Sequence, residues 1–119
     1  MTLLAGAMLG IMEEVSLAVL TLTEGVEPDE FFASKLTQRE VLNLTRTLVE
    51  TAENIPEEVK HKMLEIDWAG WSVLGTQLKV AGGFERDALW FAVRSLIPAT
   101  MLWLRVFRKN EPQLFSLTP

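Results

Sequence analysis

Apolar residues along this chain recur at intervals of three and four rather than alternately, a period that predicts helices from one end to the other. The first runs from about Thr2 to Thr23. Its apolar side chains surround the axis, which predicts burial on more than one side, including a surface for self-association. Glu24-Gly25-Val26-Glu27-Pro28 stops it, because glycine frees the backbone and proline disfavours helix at the residue before it. Asp29 is the expected cap of a short helical piece carrying Phe31 and Phe32.

Thr37-Gln38-Arg39-Glu40 has the spacing of a capping box and predicts a helix from Gln38 to about Glu53, with Val41, Leu44, Thr45, Leu48 and Ala52 on one stripe. Asn54 and Pro56-Glu57-Glu58 open a short helix that should end near Leu64, with proline and acids both suited to a first turn. Asp67 caps the next, whose Trp68, Trp71, Leu74 and Leu78 share a face, and Gly82-Gly83 ends it. The last should start near Arg86-Asp87 and reach Lys109, burying Leu89, Trp90, Val93, Leu96, Ile97, Met101, Leu104 and Phe107. Pro98 predicts a kink or break within it. Lys109-Asn110 and Pro112 close the helical part, leaving residues 111–119 as a tail. With no strand period, the predicted class is all-α. Four longer helices and short connections predict an antiparallel four-helix bundle with additional short helices, a single domain over residues 1–110.

Composition narrows the chemistry. The chain has 119 residues, 49% of them hydrophobic, enough for one core. Eleven Lys and Arg against sixteen Asp and Glu give a net charge of −5, which excludes a basic nucleic-acid clamp. There is no cysteine, hence no disulfide framework, thiolate zinc site or cysteine nucleophile, and a reducing, cytoplasmic setting is expected. There is no tyrosine and one histidine, His61, so one chain cannot build a two-histidine metal site or a tyrosine acid. Glu13 and Glu14 interrupt the apolar run between Leu3 and Leu22, which argues against a membrane span. A secretory signal would carry positive charge before its apolar core, where only Met1 and Thr2 stand.

Phe31-Phe32-Ala33-Ser34-Lys35-Leu36-Thr37-Gln38, Glu50, Ile55-Pro56-Glu57-Glu58-Val59, Glu65-Ile66-Asp67-Trp68, Leu89-Trp90 and Leu96-Ile97-Pro98 follow one another in an order and spacing that resembles the HepT-like proteins of the HEPN superfamily over roughly residues 8 to 110. The resemblance implies a dimerising four-helix bundle that is encoded beside an MNT-type minimal nucleotidyltransferase. In such pairs the HepT-like member is an RNA-cleaving toxin, which the nucleotidyltransferase silences by adenylylating a tyrosine. The family's chemistry lies in an arginine, a polar neighbour, a histidine five positions after the arginine and a tyrosine two further on. Arginine neutralises the scissile phosphate and histidine moves protons. Placing Trp68 on the family's tryptophan brings Gly75 to the arginine, Thr76 to the polar residue, Val80 to the histidine and Gly82 to the tyrosine. A second register gives Gln77, Leu78, Gly82 and Phe84. The first leaves Trp71, Leu74 and Leu78 on buried positions and is preferred. In both, the ribonuclease motif is gone. The opening helix departs too, since relatives begin with a more polar one.

Other residues have plainer readings. His61 lies in the charged segment Glu57-Glu58-Val59-Lys60-His61-Lys62 and is read as solvated. Glu50 stands where relatives carry an acid facing the bundle interior and is the candidate for a vestigial groove, though a helical glutamate is more often solvated. Lys79, Arg86, Arg94, Arg105, Arg108 and Lys109 gather in the last third and are read as rim residues around Trp68, Trp71, Trp90 and Trp103 rather than as an RNA or nucleotide surface. Glu65, Asp67 and Asp87 do not have metal-ligand spacing, and neither metal nor cofactor is expected. The expectation is a catalytically inactive HepT-like protein acting by association, as a homodimer and with an MNT-type nucleotidyltransferase as partner. The alternative is a divergent ribonuclease or nucleotide-binding protein with a rebuilt site.

Overall fold

A computed structural model describes residues 3–79 and 85–116, and all the secondary structure among the described residues is helical. Helix α1 spans Leu3–Leu22, α2 Pro28–Ala33, α3 Lys35–Asn54, α4 Glu57–Lys62, α5 Trp68–Lys79, α6 Glu85–Phe91 and α7 Ile97–Asn110. A π turn over Ala92–Leu96 joins α6 to α7, and a 3-10 turn over Pro112–Phe115 follows α7.

The boundaries have local causes. At the end of α1, Thr23 Oγ1 donates to the Val19 carbonyl at 2.8 Å and Gly25 takes a positive φ of 73°, so the predicted stop is in place. The start of α2 differs from expectation: Pro28 occupies the first turn after Glu27, and the Glu30 carboxylate accepts the Glu27 N–H at 3.1 Å, leaving Asp29 within the turn rather than at the cap.

The start of α3 also differs. Ser34 is the cap, accepting the Thr37 N–H at 3.2 Å, so the helix begins at Lys35, three residues before the predicted Gln38, and Thr37–Glu40 forms no capping box. Gln38 is already inside the helix, where its side-chain amide donates to the Phe31 and Phe32 carbonyls at 2.9 and 3.0 Å and so satisfies the open end of α2. Helix α4 stops at Lys62, short of the predicted Leu64, because Met63 leaves helical geometry and is buried. Asp67 caps α5 as expected, accepting the Gly70 N–H at 2.8 Å. The Asp67 carboxylate lies where a Cβ at Gly70 would be, so a side chain at that position would require the capping carboxylate to shift. The predicted Gly82-Gly83 stop lies outside the described residues.

Pro98 interrupts the last helix as predicted, and the form of the interruption is a widened π turn that ends two residues before it, where the missing proline N–H changes the bonding register. The stretch after Asn110 was expected to be a free tail. Instead Leu114 and Phe115 are buried where the 3-10 turn packs against α1 and α7. A Cβ at Gly6 would fall 2.4 Å from the Ser116 carbonyl oxygen, so α1 and the terminal segment touch backbone to backbone. Arg108 fastens the same corner: its Nε donates to Glu13 Oε1 at 2.7 Å and its guanidinium lies 4.4 Å from the Phe115 ring centre.

In the core, α1 packs on α3 and α7, α3 on α5 and α6, and α5 on α6. Leu9, Met12, Phe31, Leu48, Trp71, Leu74, Ile97 and Leu104 fill the space between them. The predicted stripes are nearly all buried. The exceptions are Leu44, Trp68 and Trp90, which are only partly covered. Two hydroxyls, Ser16 on α1 and Thr45 on α3, are buried without a hydrogen-bond partner.

Candidate functional site

On α3 the spacing of Arg46, Val49, Glu50 and Glu53 places all four along one helical face. On α5, Gly75, Leu78 and Lys79 do the same. These seven residues line one open cleft of about 570 Å³ between the two helices. Its floor is Val49, Leu78 and Gly75, all buried, and its rim is charged: Glu50 and Glu53 with Arg46 and Lys79, all four exposed. Among the described residues no ion pair joins the four, so both signs of charge face solvent at the cleft mouth.

Gly75 fixes how closely the helices approach. A Cβ there would lie 2.8 Å from Val49 Cγ1 and 3.2 Å from Glu53 Oε1, so a side chain at position 75 needs its neighbours to move. The cleft therefore holds Glu50, the groove candidate, beside Gly75, the position that the preferred register gives to an arginine. Glu50 is exposed at the cleft edge rather than turned into the interior. Arg46 and Glu53 were not singled out from sequence, although their spacing from Glu50 on a helix already put them on its face.

Of the other candidate positions, only Leu78 shares this cleft among the described residues. Thr76 is exposed, with its hydroxyl donating to the Ser72 carbonyl at 3.3 Å. Gln77 lines a different groove, between α5 and α6, with Asp67, Val73, Asp87 and Phe91. Leu78 is buried in the cleft floor, and Val80, Gly82 and Phe84 lie outside the described residues. His61 is exposed at the end of α4, away from both grooves. Asp67 and Asp87 line the same α5–α6 groove, but Glu65 does not join them, and no three carboxylate or imidazole groups among the described residues converge as metal ligands would.

Three of the six basic residues of the last third sit on aromatic rings, and one of those rings is a tryptophan. Arg86 lies 5.5 Å from the Phe32 ring centre, Arg94 5.5 Å from Trp90 and Arg108 4.4 Å from Phe115. Trp71 is buried, while Trp68, Trp90 and Trp103 are half-covered against the core. Each of these three cations covers one ring face that long basic side chains shield while their charged heads stay wet.

Chemically the cleft offers carboxylates, one guanidinium and one ammonium around an apolar floor. It can bind a small or extended ligand through charge, but it contains no imidazole, thiol or phenol to exchange a proton near neutrality. Comparison of the chain with protein-family models, with curated proteins and with solved structures gives no match.

Proposed function

We propose that this chain is a HepT-like protein of the HEPN type, arranged as a four-helix bundle, that has lost ribonuclease chemistry and acts by association, as a homodimer and as the partner of an MNT-type nucleotidyltransferase. The observation that carries the reading is Gly75. It lies in the α3–α5 cleft with Glu50, and a Cβ there would fall 2.8 Å from Val49 Cγ1 and 3.2 Å from Glu53 Oε1, so a larger side chain such as arginine would require those side chains to move. An RNA-cleaving site of this type needs a guanidinium for the phosphate and an imidazole for the proton. The position is filled instead by contact between two helices, which favours a scaffold.

The test is catalytic silence. Purified protein at many-fold excess should leave total RNA intact, and its expression in a bacterial host should not slow growth. Co-expression with a minimal nucleotidyltransferase encoded beside it should yield a stable complex on size-exclusion chromatography. Cleavage of RNA that copurifies with the protein through successive columns would overturn the reading.

A second reading is favoured by Arg46 and Lys79, the two cations on the cleft rim. They could hold a nucleotide or RNA phosphate while Glu50 or Glu53 acts as a base. That reading expects RNA cleavage or nucleotide binding that Arg46→Ala and Lys79→Ala abolish, whereas the scaffold reading expects neither activity.

A further inference from the structure

Helices α5 and α6 pack on α3 with one side of the pair and leave another side open. Gly75, Leu78 and Lys79 line the cleft toward α3, whereas Gly70, Leu74 and Gln77 line the separate groove of about 700 Å³ that α5 shares with α6. Its floor is apolar, with Leu74 and Ala88 buried there. Its walls are apolar too, yet uncovered, since Val73 and Phe91 each keep 56% of their surface exposed. The charges are of one sign. Asp67 and Asp87 line the groove without any Lys, Arg or His, and among the described residues neither carboxylate is in an ion pair. Neighbouring cations are engaged elsewhere: Arg86 lies over the Phe32 ring, Arg94 over Trp90, and Lys79 at the α3–α5 cleft. That cleft and the groove between α1 and α7 both mix cations with carboxylates, so the α5–α6 groove differs from them in charge.

The two carboxylates stand at opposite ends of the groove. Trp71, near the start of α5, reaches Thr100 of α7, while a short connection leads from the end of α5 at Lys79 to the start of α6 at Glu85. Helix α5 therefore runs antiparallel to the stretch from α6 to α7, which puts Asp87 toward its C-terminal end and leaves Asp67 capping its N-terminus. At 1.5 Å per residue, α5 rises ~15 Å between Asp67 and Gln77. We propose that this groove docks a cationic amphipathic helix of a partner protein, which lays its apolar stripe between Val73 and Phe91 and sets one Lys or Arg against each of Asp67 and Asp87. A helix seats in the channel between two others by presenting apolar residues three and four apart, and Phe91 supplies an exposed aromatic anchor for it. Its two cations then fall about ten residues apart. The carboxylates orient this partner, and the net charge of −5 on the chain attracts it from a distance. A twofold pairing of the groove with itself fits less well, because it would set carboxylate against carboxylate with no cation between them. The groove lies on a different face of α5 from Gly75, so its occupancy is independent of ribonuclease chemistry.

Fluorescence anisotropy of a labelled, helix-stabilised synthetic peptide tests the docking. The peptide carries Leu three and four residues apart along one face and a Lys at each end of that face, about ten residues apart. The intact chain should bind it saturably, with a dissociation constant on the order of 1–100 µM, as suits a footprint below ~1,200 Å². Binding should weaken as salt is raised. Asp87→Lys and Phe91→Ala should each weaken it about tenfold or more with helical circular dichroism unchanged. Glu58→Lys, the same change of charge on α4, should have little effect. Replacing one terminal Lys of the peptide by Glu should restore binding to the Asp87→Lys chain and weaken it for the wild type, a rescue that neither general attraction nor a folding defect produces. Absence of saturable binding to the wild type, equal weakening by Glu58→Lys, or charge reversal without rescue would each overturn the proposal. Self-association of the chain that Phe91→Ala abolishes would assign the groove to a second copy and overturn it as well.

Discussion

Inside the core the indole N–H of Trp71 donates to the hydroxyl of Thr100 at 3.0 Å, joining α5 to α7 across 29 positions of sequence. Both residues are buried, so neither group has water as an alternative partner. Thr100→Val keeps the shape and removes the acceptor. It should cost about 1–3 kcal/mol, the penalty of leaving one buried donor unmet. Trp71→Phe on top of it should add less than Trp71→Phe alone, because the donor is then gone as well. Urea denaturation of the two single variants and the double variant measures the coupling.

Glycine-to-alanine exchanges should have opposite signs on α1. In a helix the change ordinarily stabilises by ~1 kcal/mol. At Gly10, where a Cβ would meet nothing within 4 Å, dilute protein should show that gain. At Gly6 the new methyl would press on the Ser116 carbonyl and the backbone of Phe115, and the expected result is a loss of about 1–3 kcal/mol from strain and partial release of the 3-10 turn. Thermal unfolding of the two variants in dilute solution decides the sign of each.

Gly75→Ala should destabilise rather than help, since its Cβ would approach Val49 Cγ1 to 2.8 Å. Shortening the opposing side chain makes room, so Gly75→Ala combined with Val49→Ala should cost less than the two separate losses added together. If Gly75→Ala alone raised the melting temperature, the close α3–α5 contact that carries the functional reading would be wrong.

The orphaned hydroxyls of Ser16 and Thr45 give a prediction of the reverse kind. A buried polar atom without a partner carries an uncompensated desolvation cost. Ser16→Ala and Thr45→Val remove that cost with little change of volume, so each should be neutral or stabilising by up to ~1 kcal/mol. Chemical denaturation at constant m-value is the appropriate measurement.

The all-helical class was legible because local signals agree with the apolar period. Asp67 before Trp68 and Pro98 within a long apolar stripe each mark a boundary by their own chemistry, and both marks hold. Thr37 failed as a start signal because Ser34 offers an equivalent oxygen one turn earlier and Gln38 is engaged with the end of α2, a competition set by tertiary geometry. Leu114 and Phe115 were passed over for a related reason. Two apolar residues after Pro112 have no period of their own, and their burial depends on Gly6 more than a hundred positions away. In the cleft, Glu50 and Gly75 were reached only through the family resemblance. Arg46 and Glu53 could have been found by extending the helical face from Glu50, whereas the tightness of the Val49–Gly75 contact required coordinates.

The backbone contact between Gly6 and Ser116 also constrains the order of events during synthesis. A ribosome exposes α1 before α7 and the 3-10 turn, so until those emerge the first helix has neither Glu13's guanidinium partner nor the cover that Leu114 and Phe115 provide. Native closure of that corner must wait until position 116 has cleared the exit tunnel. During that interval the nascent α1 carries more uncovered apolar surface than the finished fold does, a natural target for holding chaperones.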